Sequence, residues 1–128
     1  MAKIRAFLVE DNSVILETLS AALEEMADVE VVGSAAGEQE ALRWFGSRTD
    51  GCDIAVIDIF LKTGSGLGVL EGMKSFAPPP RRVVLTNYAT AHMRSTCTAL
   101  GAEQVLDKST ELEELVEWVQ DHRLGGGH

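Results

Sequence analysis

In the stretch VIDIFLKTGSG, Val56–Gly66, an apolar run is followed by the carboxylate of Asp58 and then by a glycine-rich turn. The apolar run before Asp58 has the composition of a strand buried on both faces. Gly64 and Gly66 favour a loop, and apolar residues then recur at helical spacing over 69–73. A buried strand, a loop and a helix in this order are typical of an α/β protein with a parallel sheet.

The same alternation of apolar runs and helical patterns repeats along the chain. Five short apolar runs predict strands at residues 4–9, 29–34, 53–57, 82–85 and 104–106. Apolar residues at helical spacing predict helices over residues 13–26, 37–48, 69–73, 89–100 and 111–122. Asn12 is placed to cap the first helix, and prolines 78–80 end the third. Five strands alternating with five helices predict a parallel sheet covered on both faces.

The composition indicates one soluble globular domain. The chain has 128 residues, of which 45% are hydrophobic and 24% charged. Its 20 acidic residues outnumber 11 basic ones, which gives a net charge of -9. Nucleic-acid-binding surfaces are usually basic, so we expect no direct nucleic-acid binding and no attraction to anionic membranes.

Both ends of the chain bear on its location and its domain limits. Lys3 and Arg5 interrupt any signal-peptide pattern, and no apolar stretch approaches the roughly 20 residues that span a bilayer. We therefore expect a cytoplasmic protein. The folded domain is predicted over residues 1–123. Residues 124–128, LGGGH, are predicted to be a flexible glycine-rich tail, either a linker remnant or a cloning scar.

Polar residues follow four of the predicted strands. Glu10 and Asp11 follow the first, Asp58 the third, Thr86 the fourth and Lys108 the fifth. Right-handed crossovers place the carboxyl ends of parallel strands on one edge of the sheet, where ligands bind. If the strand order is 2-1-3-4-5, Asp58 lies centrally and Lys108 can reach it across one strand. Each residue alone could be a cap or a surface group, but their convergence predicts a site.

The residue types at this edge favour phosphoryl chemistry. Three carboxylates together need a cation, and oxygen ligands without histidine or thiolate suit Mg²⁺. Lys108 and Thr86 offer a cation and a hydroxyl to a second anion, as phosphoryl transfer requires. Asp58 would be the nucleophile that forms an acyl phosphate. Alternatively, Glu10 and Asp11 are a solvated flank of the first helix, favoured by its dipole.

Taken together, four motifs resemble the receiver domain of two-component response regulators, the CheY-like superfamily. They are VEDN at 9–12, VIDIFLKTGSG at 56–66, LTN at 85–87 and DKS at 107–109. The resemblance covers residues 3–123. It implies a flavodoxin-like three-layer α/β sandwich with a five-stranded parallel sheet of order 2-1-3-4-5 and five helices. It also implies that the chain takes a phosphoryl group from a phosphohistidine on a sensor histidine kinase.

The resemblance also assigns roles to the residues at the sheet edge. It implies that Asp58 is the phosphoacceptor, and that Thr86 and Lys108 stabilise the phosphoryl group, with Thr86 acting as the switch. The implied Mg²⁺ ligands are Glu10, Asp11, Asp58 and the backbone carbonyl of Phe60. The implied chemistry is self-catalysed aspartyl phosphorylation and dephosphorylation, without turnover of exogenous substrates.

Three positions depart from the family pattern. Lys62 stands where many members have proline, and Val105 occupies the position of an aromatic switch residue. Ser109 stands where many members have a cis-proline. A cis Lys108–Ser109 bond would cost about 2.5–4 kcal/mol, so both isomers stay open. In the family, an aromatic ring at the position of Val105 rotates during switching. Because valine has no ring, this part of the family mechanism is not expected here.

Phe60 and Tyr88 lie two residues beyond Asp58 and Thr86, at positions that tune phosphate lifetime in the family. One hypothesis is that the two aromatic rings shield the acyl phosphate from water. The alternative is that both rings only pack the loops.

The implied output surface is the face formed by the fourth helix, the fifth strand and the fifth helix. We expect it to regulate transcription through an output domain absent from this sequence, and homodimerisation stays open. A degenerate receiver that only docks partners is the main alternative. A flavin-binding domain is disfavoured because Glu10 and Asp11 would repel its phosphate. An aspartate-nucleophile phosphatase is also disfavoured. It would need an acid two residues after Asp58 to protonate the leaving group, and that position is Phe60.

Overall fold

The computed structural model describes residues 3–47, 52–76, 79–110 and 112–124. Five strands alternate with five helices, as predicted. The strands are β1 (Ile4–Val9), β2 (Val29–Ala35), β3 (Ile54–Ile57), β4 (Arg81–Thr86) and β5 (Gln104–Asp107). The helices are α1 (Ser13–Met26), α2 (Glu38–Ser47), α3 (Gly66–Met73), α4 (Ala91–Ala99) and α5 (Leu112–Leu124). The sheet is parallel in the order β2-β1-β3-β4-β5, which confirms the predicted fold.

Side-chain caps fix the starts of α1 and α4. The Oδ1 atom of Asn12 accepts hydrogen bonds from the N–H groups of Val14 and Ile15 at 3.0 and 3.1 Å. This confirms the predicted cap of α1, because the amides at a helix start lack partners within the helix. The helix α4 begins at Ala91, two residues later than predicted, because Thr90 takes the capping position.

The largest difference at the other helix ends is at α3, which begins at Gly66, three residues earlier than predicted, because Ser65 rather than a later residue caps it. The helix α3 ends at Met73, ahead of prolines 78–80, of which Pro78 lies outside the described residues. The helix α5 continues to Leu124, two residues past its predicted end. The rest of the predicted tail, 125–128, also lies outside the described residues. None of the described helices is long and apolar enough to cross a membrane.

Strand alternation divides the core into two clusters, one on each face of the sheet. In β1, Phe7 and Val9 belong to the cluster that packs against α2, α3 and α4. Ala6 and Leu8 point the other way and pack with residues of α1 and α5, including the fully buried Leu115. A sheet with helices on both faces buries its strands on both sides, which explains their continuous apolar character. The result is the predicted three-layer sandwich.

Strand register brings the residues after each strand together. Val9 and Ile57, the last residues of β1 and β3, pair directly, and the Asp58 N–H donates to the Val9 carbonyl at 3.0 Å. Near the sheet edge, the Lys108 N–H donates to the carbonyl of Thr86 at 2.8 Å. The chain therefore holds the residues after β1, β3, β4 and β5 at one edge through backbone hydrogen bonds.

Candidate functional site

Three carboxylates form a cluster at this edge of the sheet. Glu10, Asp11 and Asp58 each place one carboxylate oxygen within 4.8 Å of the other two. Glu10 is 4% exposed and Asp58 is 6% exposed, whereas Asp11 is half-buried. The second oxygen of Glu10 accepts a hydrogen bond from the Asn12 N–H at 3.0 Å. Glu10 is therefore a buried, hydrogen-bonded group, and the solvated-flank interpretation does not describe it.

The ammonium group of Lys108 lies between two of these carboxylates. Its Nζ atom is 2.5 Å from Oε1 of Glu10 and 3.0 Å from Oδ2 of Asp58. Burial acts to lower the pKa of Lys108, but hydrogen bonds and charges from Glu10 and Asp58 outweigh it and raise that pKa above 10.5. The lysine is therefore charged at neutral pH. Three carboxylates against one ammonium group still leave an excess of negative charge.

The loop after β3 folds back onto the acidic cluster. The backbone N–H of Lys62 donates to Oδ2 of Asp11 at 2.7 Å. The N–H of Phe60 lies 3.3 Å from Oδ1 of Asp58 and donates to it. Backbone donors of this loop therefore bind two of the carboxylates and orient their oxygens.

Thr86 ends β4 with its side chain fully buried. Its hydroxyl oxygen accepts a hydrogen bond from the N–H of Tyr88 at 3.2 Å. The threonine hydroxyl thus lies at the same sheet edge as the carboxylates and is tied to the loop between β4 and α4.

A family model for the response regulator receiver domain matches residues 6–120, which include the acidic cluster, Thr86 and Lys108. The chain belongs to the response regulator receiver domain family. This confirms the resemblance carried by the four sequence motifs.

Individual relatives agree with this family and with the fold. The DNA-binding transcriptional activator DevR/DosR of Mycobacterium tuberculosis is 28% identical over 97% of this chain and 55% of its own length. The solved receiver domain of the putative response regulator NarL from M. tuberculosis superposes with a TM-score of 0.84. It is 24% identical, with 98% of this chain and 99% of that chain covered.

A second solved structure carries a modified aspartate. A response regulator from Burkholderia pseudomallei, solved with a phosphorylated aspartic acid, calcium ion and citrate, has a TM-score of 0.79. It is 25% identical over 98% of this chain and 71% of that chain. This chain covers only part of the curated relatives that it matches. In four of them, the matched region is between 32% and 58% of the relative's own length.

Gly66 of the receiver domain is required by a close backbone approach. A Cβ atom at this position would lie 2.2 Å from the carbonyl oxygen of Asp58 and 2.7 Å from Cα of Ile59. The Gly66 N–H also donates to the Ile59 carbonyl at 2.9 Å, which closes the loop after β3. The sequence indicated only a loop glycine here, whereas the structure shows that a side chain would collide with the backbone of Asp58.

The rings of Phe60 and Tyr88 contact each other. Their centroids lie 5.0 Å apart at an interplanar angle of 72°, an edge-on arrangement. Phe60 is 52% exposed and Tyr88 is 61% exposed, so neither ring is buried in the core. The pair joins the loops that follow Asp58 and Thr86.

Val105, on β5, is buried in the core cluster that includes Cys97 of α4. The guanidinium group of Arg94, on α4, donates to the carbonyl of Val105 and, at 3.0 Å, to the carbonyl of Ala89. The sequence did not indicate this contact. It joins α4, β5 and the loop after Thr86 through backbone carbonyls, which leave no trace in a residue pattern.

The donor set of the acidic cluster fits a hard divalent cation. All three side chains offer carboxylate oxygens, which suit Mg²⁺, and among the described residues no histidine or cysteine joins them. The excess negative charge of the cluster also favours a cation.

Proposed function

We propose that this receiver domain accepts a phosphoryl group on Asp58 from the phosphohistidine of a sensor histidine kinase. The carrying observation is the contact of the Lys108 ammonium group with Asp58 at 3.0 Å, inside a buried acidic cluster. In the reaction, a carboxylate oxygen of Asp58 attacks phosphorus, and the bond between phosphorus and the donor imidazole nitrogen breaks. The phosphorylated aspartate of the B. pseudomallei relative supports this assignment.

Metal binding is assigned to the acidic cluster. Glu10, Asp11, Asp58 and the backbone carbonyl of Phe60 would hold Mg²⁺ through oxygen atoms. When bound, the ion supplies charge stabilisation for the phosphoryl oxygens. The loop hydrogen bond from Lys62 to Asp11 supports the assignment because it fixes the orientation of a proposed ligand.

Lys108 and Thr86 would stabilise the transferred group and report it. Lys108 is charged and would donate hydrogen bonds to a phosphoryl oxygen. Thr86 would donate its O–H group to another phosphoryl oxygen and move toward it. That movement would pull on the loop after β4, which Arg94 joins to α4 and β5. The proposed output surface is therefore the face formed by α4, β5 and α5.

Intact-mass spectrometry after incubation with a small-molecule phosphodonor tests the phosphoacceptor. We expect one added phosphoryl group with Mg²⁺, none with a metal chelator, and none in Asp58→Ala, because the nucleophile is absent. Asp53→Ala is the matched control, since Asp53 lies just before the amino end of β3 and accepts a hydrogen bond from Arg5. It should be modified like the wild type.

Two results would overturn the phosphoacceptor assignment. Modification that persists in Asp58→Ala would place the phosphoryl group elsewhere. An unmodified wild type, also tested with its partner kinase, would favour a phosphorylation-independent docking module. The specific observation behind that second candidate is Val105 on β5, because the family resemblance implies an aromatic switch residue at this position.

The paired rings of Phe60 and Tyr88 are proposed to shield the acyl phosphate. Phe60→Asn should lose phosphate severalfold faster than the wild type, because an amide admits and orients water where a ring excludes it. Tyr88→Phe keeps the ring and should retain the wild-type lifetime. The lifetime is measured by the decay of phosphorylated protein after the donor is removed. Decay in Phe60→Asn that is no faster than in the wild type would contradict shielding and favour a packing role for the rings.

The wider role follows from the family and the charge. We propose that residues 1–123 form a cytoplasmic receiver that regulates transcription through an output domain, as the name of the DevR/DosR relative indicates for that protein. The net charge of -9 supports an indirect route, in which the receiver itself does not bind nucleic acid. Homodimerisation through the output surface belongs to the same proposal. No turnover of exogenous substrates is expected.

A further inference from the structure

Glu38, the first residue of α2, contacts the loop that leads from β3 to α3. Its Oε1 atom accepts a hydrogen bond from the Ser65 N–H at 2.9 Å. Its own N–H donates to the carbonyl of Thr63 at 3.2 Å. The residue therefore binds the loop through both backbone and side chain, although 27 positions separate it from Ser65.

Three glycines leave the space that this contact occupies. At Gly64, where φ is +79°, a Cβ atom would lie 2.4 Å from Cβ of Glu38, and at Gly68 it would lie 2.3 Å from the Glu38 carboxylate. At Gly37 it would lie 2.3 Å from Oγ1 of Thr63. The Glu38 carboxylate thus lies at the amino end of α3, where the helix dipole favours negative charge.

The anchored loop is the one that reaches the acidic cluster. Phe60 and Lys62 donate their N–H groups to Asp58 and Asp11, and the Phe60 carbonyl is the proposed backbone ligand for Mg²⁺. Ser65, held by Glu38, follows Lys62 by three residues. A short segment held at both ends has few alternative conformations, so fixing Ser65 also restricts Phe60 and Lys62.

We propose that Glu38 is a positioning residue for the metal site, an inference that rests on the proposed function. By holding the loop in place before the metal arrives, Glu38 removes part of the ordering cost that binding would otherwise incur. Partners outside the ligand shell that orient ligands in this way contribute substantially to metal affinity. Glu38 acts through Ser65 and does not itself join the acidic cluster.

Isothermal titration of Mg²⁺ into four proteins tests this role. Glu38→Ala should raise the Kd for Mg²⁺ by about tenfold, the low end of the effect of such partners, because it acts through the loop. Glu38→Gln keeps an oxygen acceptor for Ser65 and should stay close to the wild type. Glu40→Ala is the matched control. It also removes a side-chain acceptor at the start of α2, where Oε1 of Glu40 binds the Ala36 N–H at 2.8 Å.

Amide hydrogen exchange in metal-free buffer gives a second readout that does not depend on the metal. Exchange at Ser65 and Lys62 should speed up in Glu38→Ala and stay unchanged in Glu40→Ala. If Glu38→Ala does not fold, Glu38→Asp replaces it, because the shorter side chain keeps the charge and loses the reach to Ser65. Unchanged exchange at Lys62 would overturn the proposal.

The two proposals fail in different ways. A wild type that does not bind Mg²⁺ would contradict the proposed function, while faster exchange at Lys62 in Glu38→Ala would still support positioning of the loop. A wild type that binds Mg²⁺, with Glu38→Ala and Glu40→Ala showing equal Kd values, would overturn the role of Glu38 and leave the proposed function intact.

Discussion

Lys108→Met is expected to lower the free energy of unfolding by about 3–5 kcal/mol at neutral pH in metal-free buffer. The ammonium group contacts Glu10 and Asp58, and its side chain is 10% exposed. Without it, two buried carboxylates face each other with no counter-ion, which costs more than the lost attraction alone. Denaturant titration in the presence of a metal chelator measures the change. A domain of this size has about 5–15 kcal/mol to lose, so the effect should be large.

Lys74→Met provides the control for this prediction. Nζ of Lys74 lies 3.4 Å from Oε2 of Glu71, and both side chains are exposed. Exposed ion pairs of this kind contribute about 0.5 kcal/mol or less to the free energy of unfolding. The pH dependence gives a further check. Because folding raises the pKa of Lys108 above 10.5, its contribution is fully present below pH 10.5 and is lost as the pH rises through the folded-state value. Equal losses of unfolding free energy in Lys108→Met and Lys74→Met would contradict the prediction.

Gly66→Ala is expected to lower the free energy of unfolding by about 1–3 kcal/mol and to slow phosphorylation of Asp58. The new Cβ atom would lie 2.2 Å from the Asp58 carbonyl oxygen, closer than real Cβ atoms approach other atoms. The obstacle is backbone rather than a flexible side chain, so relief requires the loop or the start of α3 to move. Denaturant titration and the rate of mass gain measure the two effects.

Gly46→Ala is the matched substitution in another helix. The nearest atom to a Cβ at Gly46 is Cε1 of Phe76 at 3.8 Å, an ordinary contact. Alanine should therefore stabilise α2 by about 0.5–1 kcal/mol, through its higher helix propensity. If Gly66→Ala were as well tolerated as Gly46→Ala, the close approach at Asp58 would not be a constraint.

The fold was predictable because local patterns and topology agree. Short apolar runs separated by helical patterns indicated every strand and helix, and Asn12 marked the start of α1. The start of α4 was placed two residues early, although Thr90 is a recognisable capping residue. The convergence of the acidic residues and Lys108 followed from parallel topology, because the carboxyl ends of such strands share one edge.

Contacts that depend on side-chain conformation or loop geometry were not predictable. The sequence placed Lys108 near Asp58 but did not indicate its shorter contact with Glu10. The bonds from Arg94 to two carbonyls and from Glu38 to the Ser65 N–H were equally hidden, because each ends on a backbone group that carries no sequence pattern. Such contacts are selected by packing in the assembled domain, and neither propensity nor periodicity encodes them.

Strand β5 is an outermost strand of the sheet and follows the other four strands in sequence, which bears on how a newly made chain folds. Glu10, Asp11 and Asp58 leave the ribosome long before Lys108, which follows β5. Until then, the three carboxylates repel one another and have no lysine to separate them. The ion pairs of Lys108 therefore cannot assist the pairing of β1, β2 and β3 before β5 is made. Lys108 offsets part of this negative charge only when β5 docks.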